Sequence, residues 1–221
     1  MSQIKAVLFD LDGTVADTAP DLAYAANSLR LADGVPPLPV EILRPLASQG
    51  ARGLLKEAVG LTPDDPGFEH ARLRFLSFYE NNLCVHTRLF PGIPQLLDGI
   101  EARGLPWGIV TNKVEFFAQP LMQKLGLDER CAITVGGDTT PNAKPAPDPL
   151  LHAAKAINVA PDACIYVGDD LRDVQAAHAA GMTSVAVRWG YLGDGPPIEQ
   201  WNAHYIVRTP KDLHDLLERL C

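Results

Sequence analysis

The sequence predicts an α/β protein: a parallel sheet covered by helices, with an α-helical module inserted near its beginning. Three observations carry that expectation. Over the C-terminal half, short apolar runs ending in polar clusters alternate with helical stretches, the pattern that builds a parallel sheet. A helix-rich block interrupts this alternation from about Ala16 to about Val85. At 221 residues the chain can bury one substantial core and carry a small second module.

The first element is the apolar run over residues 4 to 9, too short and too apolar for a solvent-facing helix, and so read as a buried strand. It leads through Val7-Leu8-Phe9 into Asp10-Leu11-Asp12-Gly13-Thr14. Asp10 is thereby expected at the carboxyl end of a strand, where open α/β sheets place their ligands. Gly13 allows the backbone to turn sharply and approach a bound group. The helical block follows, punctuated by Pro36-Pro37-Leu38-Pro39 and Thr62-Pro63-Asp64-Asp65-Pro66-Gly67. Leu22, Ala25, Ala26 and Leu29 give one apolar helix face, and Leu73, Leu76 and Leu83 with Phe75 and Tyr79 give another. Thr14 to Ala19 and Val85 to Gly92 are the expected hinges. Strands are then expected at Pro106 to Thr111, Ala132 to Val135, Cys164 to Gly168, Thr183 to Val187 and Tyr205 to Val207. Asp148 before Pro149 reads as a helix N-cap, and Gly181 as the stop of a helix over Leu171 to Ala180.

Composition narrows the function classes. Hydrophobic residues at 47% and charged residues at 21% are the balance of a globular protein, and no apolar stretch approaches a membrane span. The first strand lies so near Met1 that no signal or transit peptide is expected, which points to the cytoplasm. A net charge of −8 argues against a nucleic-acid or anionic-membrane surface. It does not exclude an anionic substrate, since a local cation, Lys and Arg can reverse the sign inside a pocket. Cys84, Cys131, Cys164 and Cys221 are scattered without C-x-x-C spacing, as incidental thiols would be. The six histidines show no metal-ligand spacing.

The chemistry concentrates at four predicted strand ends. Asp10 and Asp12 repel each other unless a cation or a proton is shared, which points to a hard cation with oxygen ligands, Mg²⁺ by default. The run Trp107-Gly108-Ile109-Val110-Thr111-Asn112-Lys113 ends in a hydroxyl and an amide suited to phosphate oxygens. Lys144 lies in Ala143-Lys144-Pro145-Ala146-Pro147-Asp148-Pro149, where proline excludes regular helix or central strand. Cys164-Ile165-Tyr166-Val167-Gly168-Asp169-Asp170-Leu171-Arg172-Asp173 joins a buried strand to clustered acids entering a helix. Taken singly, Thr111 and Asn112 fit a helix N-cap, Lys144 a solvated loop charge, and Asp169 and Asp170 acids at a helix start. Their occurrence together, in this order, favours one site.

These stretches resemble the four motifs of the haloacid dehalogenase (HAD) superfamily, and the resemblance spans essentially the whole chain. It implies a Rossmann-like, HAD-like α/β core over residues 1–15 and 86–221 with an α-helical cap over 16–85. It also implies a Mg²⁺-dependent phosphoric monoester hydrolase. In that reading Asp10 is the nucleophile that forms an aspartyl-phosphate, and Asp12 is the general acid and base. Mg²⁺ is held by the Asp10 side chain, the Asp12 main-chain carbonyl and Asp169. Thr111, Asn112 through its backbone amide, and Lys144 bind phosphate. Asp173 orients metal waters or Lys144, with Asp170, where many relatives carry Ser, in the same surrounding shell. Asp12 argues against a dehalogenase, because halide needs no protonation, whereas phosphomutases share all these residues and stay open. A catalytically silent binding protein would be expected to lose Asp10, Asp12 or Lys144.

For substrate, Ser48-Gln49-Gly50-Ala51-Arg52-Gly53 in the cap offers glycines for close approach, Gly50 among them, and Arg52 for a carboxylate. A surface charge is the equal alternative for Arg52. The motif stretches, with Val187-Arg188-Trp189-Gly190-Tyr191, are similar to phosphoglycolate phosphatases and to N-acetylmuramic acid 6-phosphate phosphatases of cell-wall recycling. Both substrates carry a carboxylate, so the expected partner is a small phosphorylated metabolite, 2-phosphoglycolate first, with no nucleic acid and no membrane. Trp189 and Tyr191 are expected in the core or at the rim of the site, and the oligomeric state is open between monomer and homodimer.

Overall fold

The computed structural model describes residues 3–193 and 195–221; the first two residues of the expected core segment lie outside them. Six parallel strands form the main sheet: β1 (Ala6–Phe9), β4 (Trp107–Val110), β5 (Ile133–Val135), β6 (Cys164–Gly168), β7 (Thr183–Val187) and β8 (Tyr205–Val207). Their order is β5-β4-β1-β6-β7-β8. β1 and β6 are buried at every position, as parallel strands covered on both faces must be. Alternation splits β1 between two cores: Val7 and Phe9 face one apolar cluster, Ala6 and Leu8 the other.

Helices cover both faces. α5 (Ile93–Ala102), α6 (Glu115–Lys124) and α9 (Pro210–Leu220) contribute buried residues to the larger cluster. α7 (Asp148–Ala156) and α8 (Leu171–Ala179) contribute to the other. Between β1 and β4 the chain enters the helical insertion: α1 (Ala19–Ala32), α2 (Val40–Leu43), a 3₁₀ turn over Arg44–Gln49, α3 (Gly50–Val59) and α4 (Phe68–Asn81). β2 (Ala16–Asp17) pairs antiparallel with β3 (Arg88–Leu89), so the entering and leaving strands run side by side.

Several expectations need correction. β1 starts at Ala6 rather than residue 4, and Ala16 begins a strand rather than the helical block. The face of α4 turns so that Phe68, Ala71, Phe75 and Tyr79 are buried while Leu73 is 56% exposed. Their i, i+3, i+4 spacing makes the buried stripe, and Leu73 falls off it. Asp148 lies inside α7, whose N-cap is Pro147; its carboxylate accepts from Asn142 Nδ2 instead of a helix N–H. Gly181 does follow α8, with φ of 72°.

The sheet order positions the site. β1 pairs with β4 on one side and β6 on the other, with Phe9 level with both Ile109 and Val167. The chain connections therefore diverge at β1, opening a crevice beyond the strand ends where open α/β sheets bind ligands.

Candidate active site

Asp10, Thr111 and Asp169 each directly follow the last residue of β1, β4 and β6, so the register that aligns the strands brings them to one place. The crevice is a cavity of about 400 Å³ whose wall includes Asp10, Asp12, Thr111, Asn112, Lys113 and Lys144 from the sheet side. Ser48, Gly50 and Arg52 line it from the helical insertion.

Asp10 accepts from Lys144 Nζ at 3.0 Å, and its Oδ1 also accepts from the Leu11 backbone N–H at 2.8 Å. Lys144 is buried and donates to Asp173 Oδ1 at 2.7 Å and to the Tyr166 hydroxyl at 2.7 Å. The loop carrying Lys144 is held by Asn112, whose Nδ2 donates to the Lys144 carbonyl while its Oδ1 accepts from the Lys144 N–H. The Asn112 side chain is thus committed to positioning Lys144, leaving its backbone for a ligand. Thr111 is buried, and its Oγ1 accepts from the Lys113 N–H at 3.2 Å, so its hydroxyl hydrogen remains for a ligand.

Asp12 stands beside a cation that sequence reasoning quoted without giving it a role. Lys113 Nζ lies 3.2 Å from Asp12 Oδ2 and 4.8 Å from the centre of the Tyr79 ring on α4. Burial alone would depress the Lys113 pKa, but Asp12 and Tyr79 outweigh it and hold the ammonium protonated. The other Asp12 oxygen, Oδ1, accepts from Thr18 Oγ1 at 2.5 Å. In the sequence only its place just past a predicted strand end, beside Thr111 and Asn112, marks Lys113; its pairing with Asp12 is set by the fold.

Asp169 is fully buried; Oδ1 accepts from Thr14 Oγ1 at 2.8 Å and Oδ2 from the Tyr191 N–H at 2.8 Å. Gly13, at φ of 86°, lies so close that a Cβ there would run into the Asp169 carboxylate, which is why this turn takes glycine. Burial first, then Asp10 and Asp173, raises the Asp169 pKa well above the usual carboxylate range. Burial also raises Asp10 to about 6 against the pull of Lys144, with Asp173 and Asp12 adding to the rise. Oxygens of Asp10, Asp169 and Asp173 all lie within 4.8 Å of one another. Three carboxylates so close, with Lys144 the cation bonded among them, form an oxygen-only donor set short of positive charge, and that fits a hard divalent cation.

Asp170 lines the cavity, and its N–H donates to Asp173 Oδ2. It caps α8, accepting from the Arg172 N–H at 2.9 Å, and forks onto the Arg172 guanidinium. Its carboxylate stands outside the acidic group. Arg52 is exposed at the start of α3, lines the cavity, and has no hydrogen-bond or ion-pair partner among the described residues. Trp189 and Tyr191 do not line the cavity: the Trp189 indole donates to the Thr14 carbonyl, and Tyr191 is buried. The cysteines are all free. His214 does group with Asp215 and Glu218 on α9, a cluster already paired to Lys211 and Arg103.

A model of the haloacid dehalogenase-like hydrolase family matches residues 4–181. The chain belongs to that family. Among its relatives, a phosphoglycolate phosphatase of Xanthomonas campestris is 46% identical over 211 residues, covering 95% of this chain and 94% of its own. An N-acetylmuramic acid 6-phosphate phosphatase of Pseudomonas aeruginosa is 43% identical over 220 residues, covering 99% of this chain and 97% of its own. A haloacid dehalogenase-like hydrolase from Streptococcus pneumoniae superposes with a TM-score of 0.83 at 25% identity, over 98% of this chain and 99% of that one. The HAD-like hydrolase fold is thus the six-stranded sheet described above, and among the described residues no helix is long and apolar enough to cross a membrane.

Proposed function

We propose that this chain is a phosphatase that hydrolyses a small carboxylate-bearing phosphate monoester, 2-phosphoglycolate first among the candidates, in the cytoplasm. One observation carries the reading: Asp10 and Asp12 face a single cavity, each beside its own buried lysine at 3.0 and 3.2 Å. Two carboxylates in one site with separate cations can take separate roles.

In this reading an Asp10 oxygen attacks phosphorus as the ester P–O bond breaks, giving an aspartyl-phosphate, and Asp12 delivers a proton to the departing oxygen. Asp12 then takes a proton from a water that attacks phosphorus, releasing inorganic phosphate and restoring Asp10. Lys144 sits where negative charge gathers on the phosphoryl group, and the Thr111 hydroxyl and Asn112 backbone amide supply hydrogen bonds to its oxygens. Asp10, the Asp12 carbonyl and Asp169 would hold Mg²⁺, with Asp173 beside them; the ion would supply neutralisation of the carboxylates and the phosphate. Residues 16–85 act as a cap over the core, and Arg52 reads the substrate carboxylate.

A second reading, N-acetylmuramic acid 6-phosphate, is favoured by the cavity. At about 400 Å³ it exceeds the needs of a two-carbon acid phosphate and suits a substituted sugar phosphate. Steady-state kinetics with Mg²⁺ on 2-phosphoglycolate, N-acetylmuramic acid 6-phosphate and p-nitrophenyl phosphate test both. The expected result is a kcat/KM for one of the two acids far above that for p-nitrophenyl phosphate; turnover of neither acid would overturn the proposal.

A further inference from the structure

Arg172 stands on the core side of the cavity, two residues past the α8 N-cap, and reaches across to the helical insertion. Its Nε donates to Asp170 Oδ1 and its Nη2 to Asp170 Oδ2, both at 2.8 Å. The same Nη2 donates to the Ser48 main-chain carbonyl at 2.7 Å. Two-point pairing fixes the plane of a guanidinium, so the remaining hydrogen of Nη2 is aimed rather than free to wander. The anchor is itself held: the Asp170 N–H donates to Asp173 Oδ2 at 3.0 Å, and Asp173 is bonded to Lys144.

The acceptor is equally placed. Ser48 is the penultimate residue of the 3₁₀ turn Arg44–Gln49, which passes directly into α3 with Gly50 and Arg52 in its first turn. The start of the same turn is tied by Arg44 Nη1 to Asp17 Oδ1 at 2.7 Å. A backbone carbonyl reports where the chain runs, whatever side chain stands there. The Arg172 contact therefore reads the seating of this turn over the cavity.

We propose that Asp170 and Arg172 form a clamp that docks the Arg44–Gln49 turn onto the core, making Arg172 a positioning residue that holds Gly50 and Arg52 over the phosphoryl site. The clamp rests on the proposed function only in assigning Arg52 to the substrate carboxylate. Arg172 lines the cavity, but its guanidinium donates to Asp170, which neutralises its charge, and to the Ser48 carbonyl. Its effect on catalysis passes through the turn.

The test combines amide hydrogen exchange with a double-mutant cycle on the full chain. In Arg172→Ala, exchange over residues 44–53 should accelerate while β1 and β6 keep their protection. KM for the carboxylate-bearing substrate should rise about tenfold, the loss expected when a hydrogen bond from a charged group is removed, with kcat changed less. Arg172→Lys, which can reach the carbonyl without the fork, should recover part of both effects. In Arg52→Ala, adding Arg172→Ala should cost little more, because residues acting through one another are not additive. Unchanged exchange over 44–53 in Arg172→Ala, or fully additive losses, would overturn the clamp. The exchange arm stands even if no tested phosphate ester is a substrate, and if Arg172→Ala does not fold, Arg172→Lys and Asp170→Asn carry the same measurements.

Discussion

At the residue scale the site separates groups that the sequence displays from groups only the fold reveals. Asp10, Thr111 and Asp169 are legible because each directly follows an apolar strand, with Asp12 two residues beyond Asp10; Lys144 and Asp173 are legible from the proline-bracketed loop and the acidic helix start that carry them. Lys113, Tyr166 and Arg172 lie in the same stretches but look like ordinary strand or helix residues. Their partners, Asp12 and Tyr79, Lys144, and Ser48, are distant in sequence. Asp10→Asn should abolish turnover with the fold intact, since an amide is isosteric but not nucleophilic; more than a few per cent of residual kcat would contradict an aspartyl-phosphate. Lys113→Met is sharper for Asp12. Losing the 3.2 Å partner should slow esters with poor leaving groups, which need a proton, by about tenfold or more. It should slow p-nitrophenyl phosphate far less, because that leaving group departs without protonation. Equal slowing of both would remove Lys113 from the positioning of Asp12.

At the element scale, alternation gave the parallel sheet and the Ala16 to Val85 block gave the insertion, because period and punctuation are local. What was missed depends on neighbours. Which stripe of α4 is buried follows from its packing against α1 and α3, and so Leu73 was misplaced. The ties at the base of the insertion were also invisible. The Tyr191 hydroxyl, from the core, accepts from the backbone N–H groups of Thr18 at 2.7 Å and Ala19 at 2.9 Å, satisfying donors at the start of α1. In the same first turn, Asp21 is buried and accepts from the N–H groups of His86 and Thr87 and the Thr87 hydroxyl. Both connections thus meet at the first turn of α1. Tyr191→Phe should destabilise the protein by about 1–3 kcal/mol, the cost of leaving buried donors unpaired, measured by urea unfolding. A change of only a few tenths would mean that water replaces the phenol without cost.

At the scale of the whole molecule, sheet order converges three carboxylates at one crevice, and that convergence opposes folding unless charge is supplied. A carboxyl whose folded pKa lies above its unfolded value binds its proton more tightly when folded. Its stabilising contribution is complete below the unfolded value and is lost as pH rises through the folded value. For Asp10 that window runs from the ordinary 3.8 up to about 6, and Asp169 shifts in the same direction. Above it the folded state carries unneutralised negative charge, which Mg²⁺ would relieve in competition with protons. The increase in Tm on adding Mg²⁺ should therefore be larger at about pH 8 than at about pH 5. Asp170, Asp215 and Glu199 shift the opposite way, held low by arginine or lysine partners, with Asp170 opposed by its burial. They stand outside the acidic group, so comparing Tm with and without the ion at each pH cancels their effect. In Asp169→Asn the Mg²⁺-dependent increase should shrink at both pH values, because an amide neither repels Asp10 nor binds the cation as an anion. A Tm increase that is independent of pH in the parent chain, or undiminished in Asp169→Asn, would place the cation away from Asp10 and Asp169.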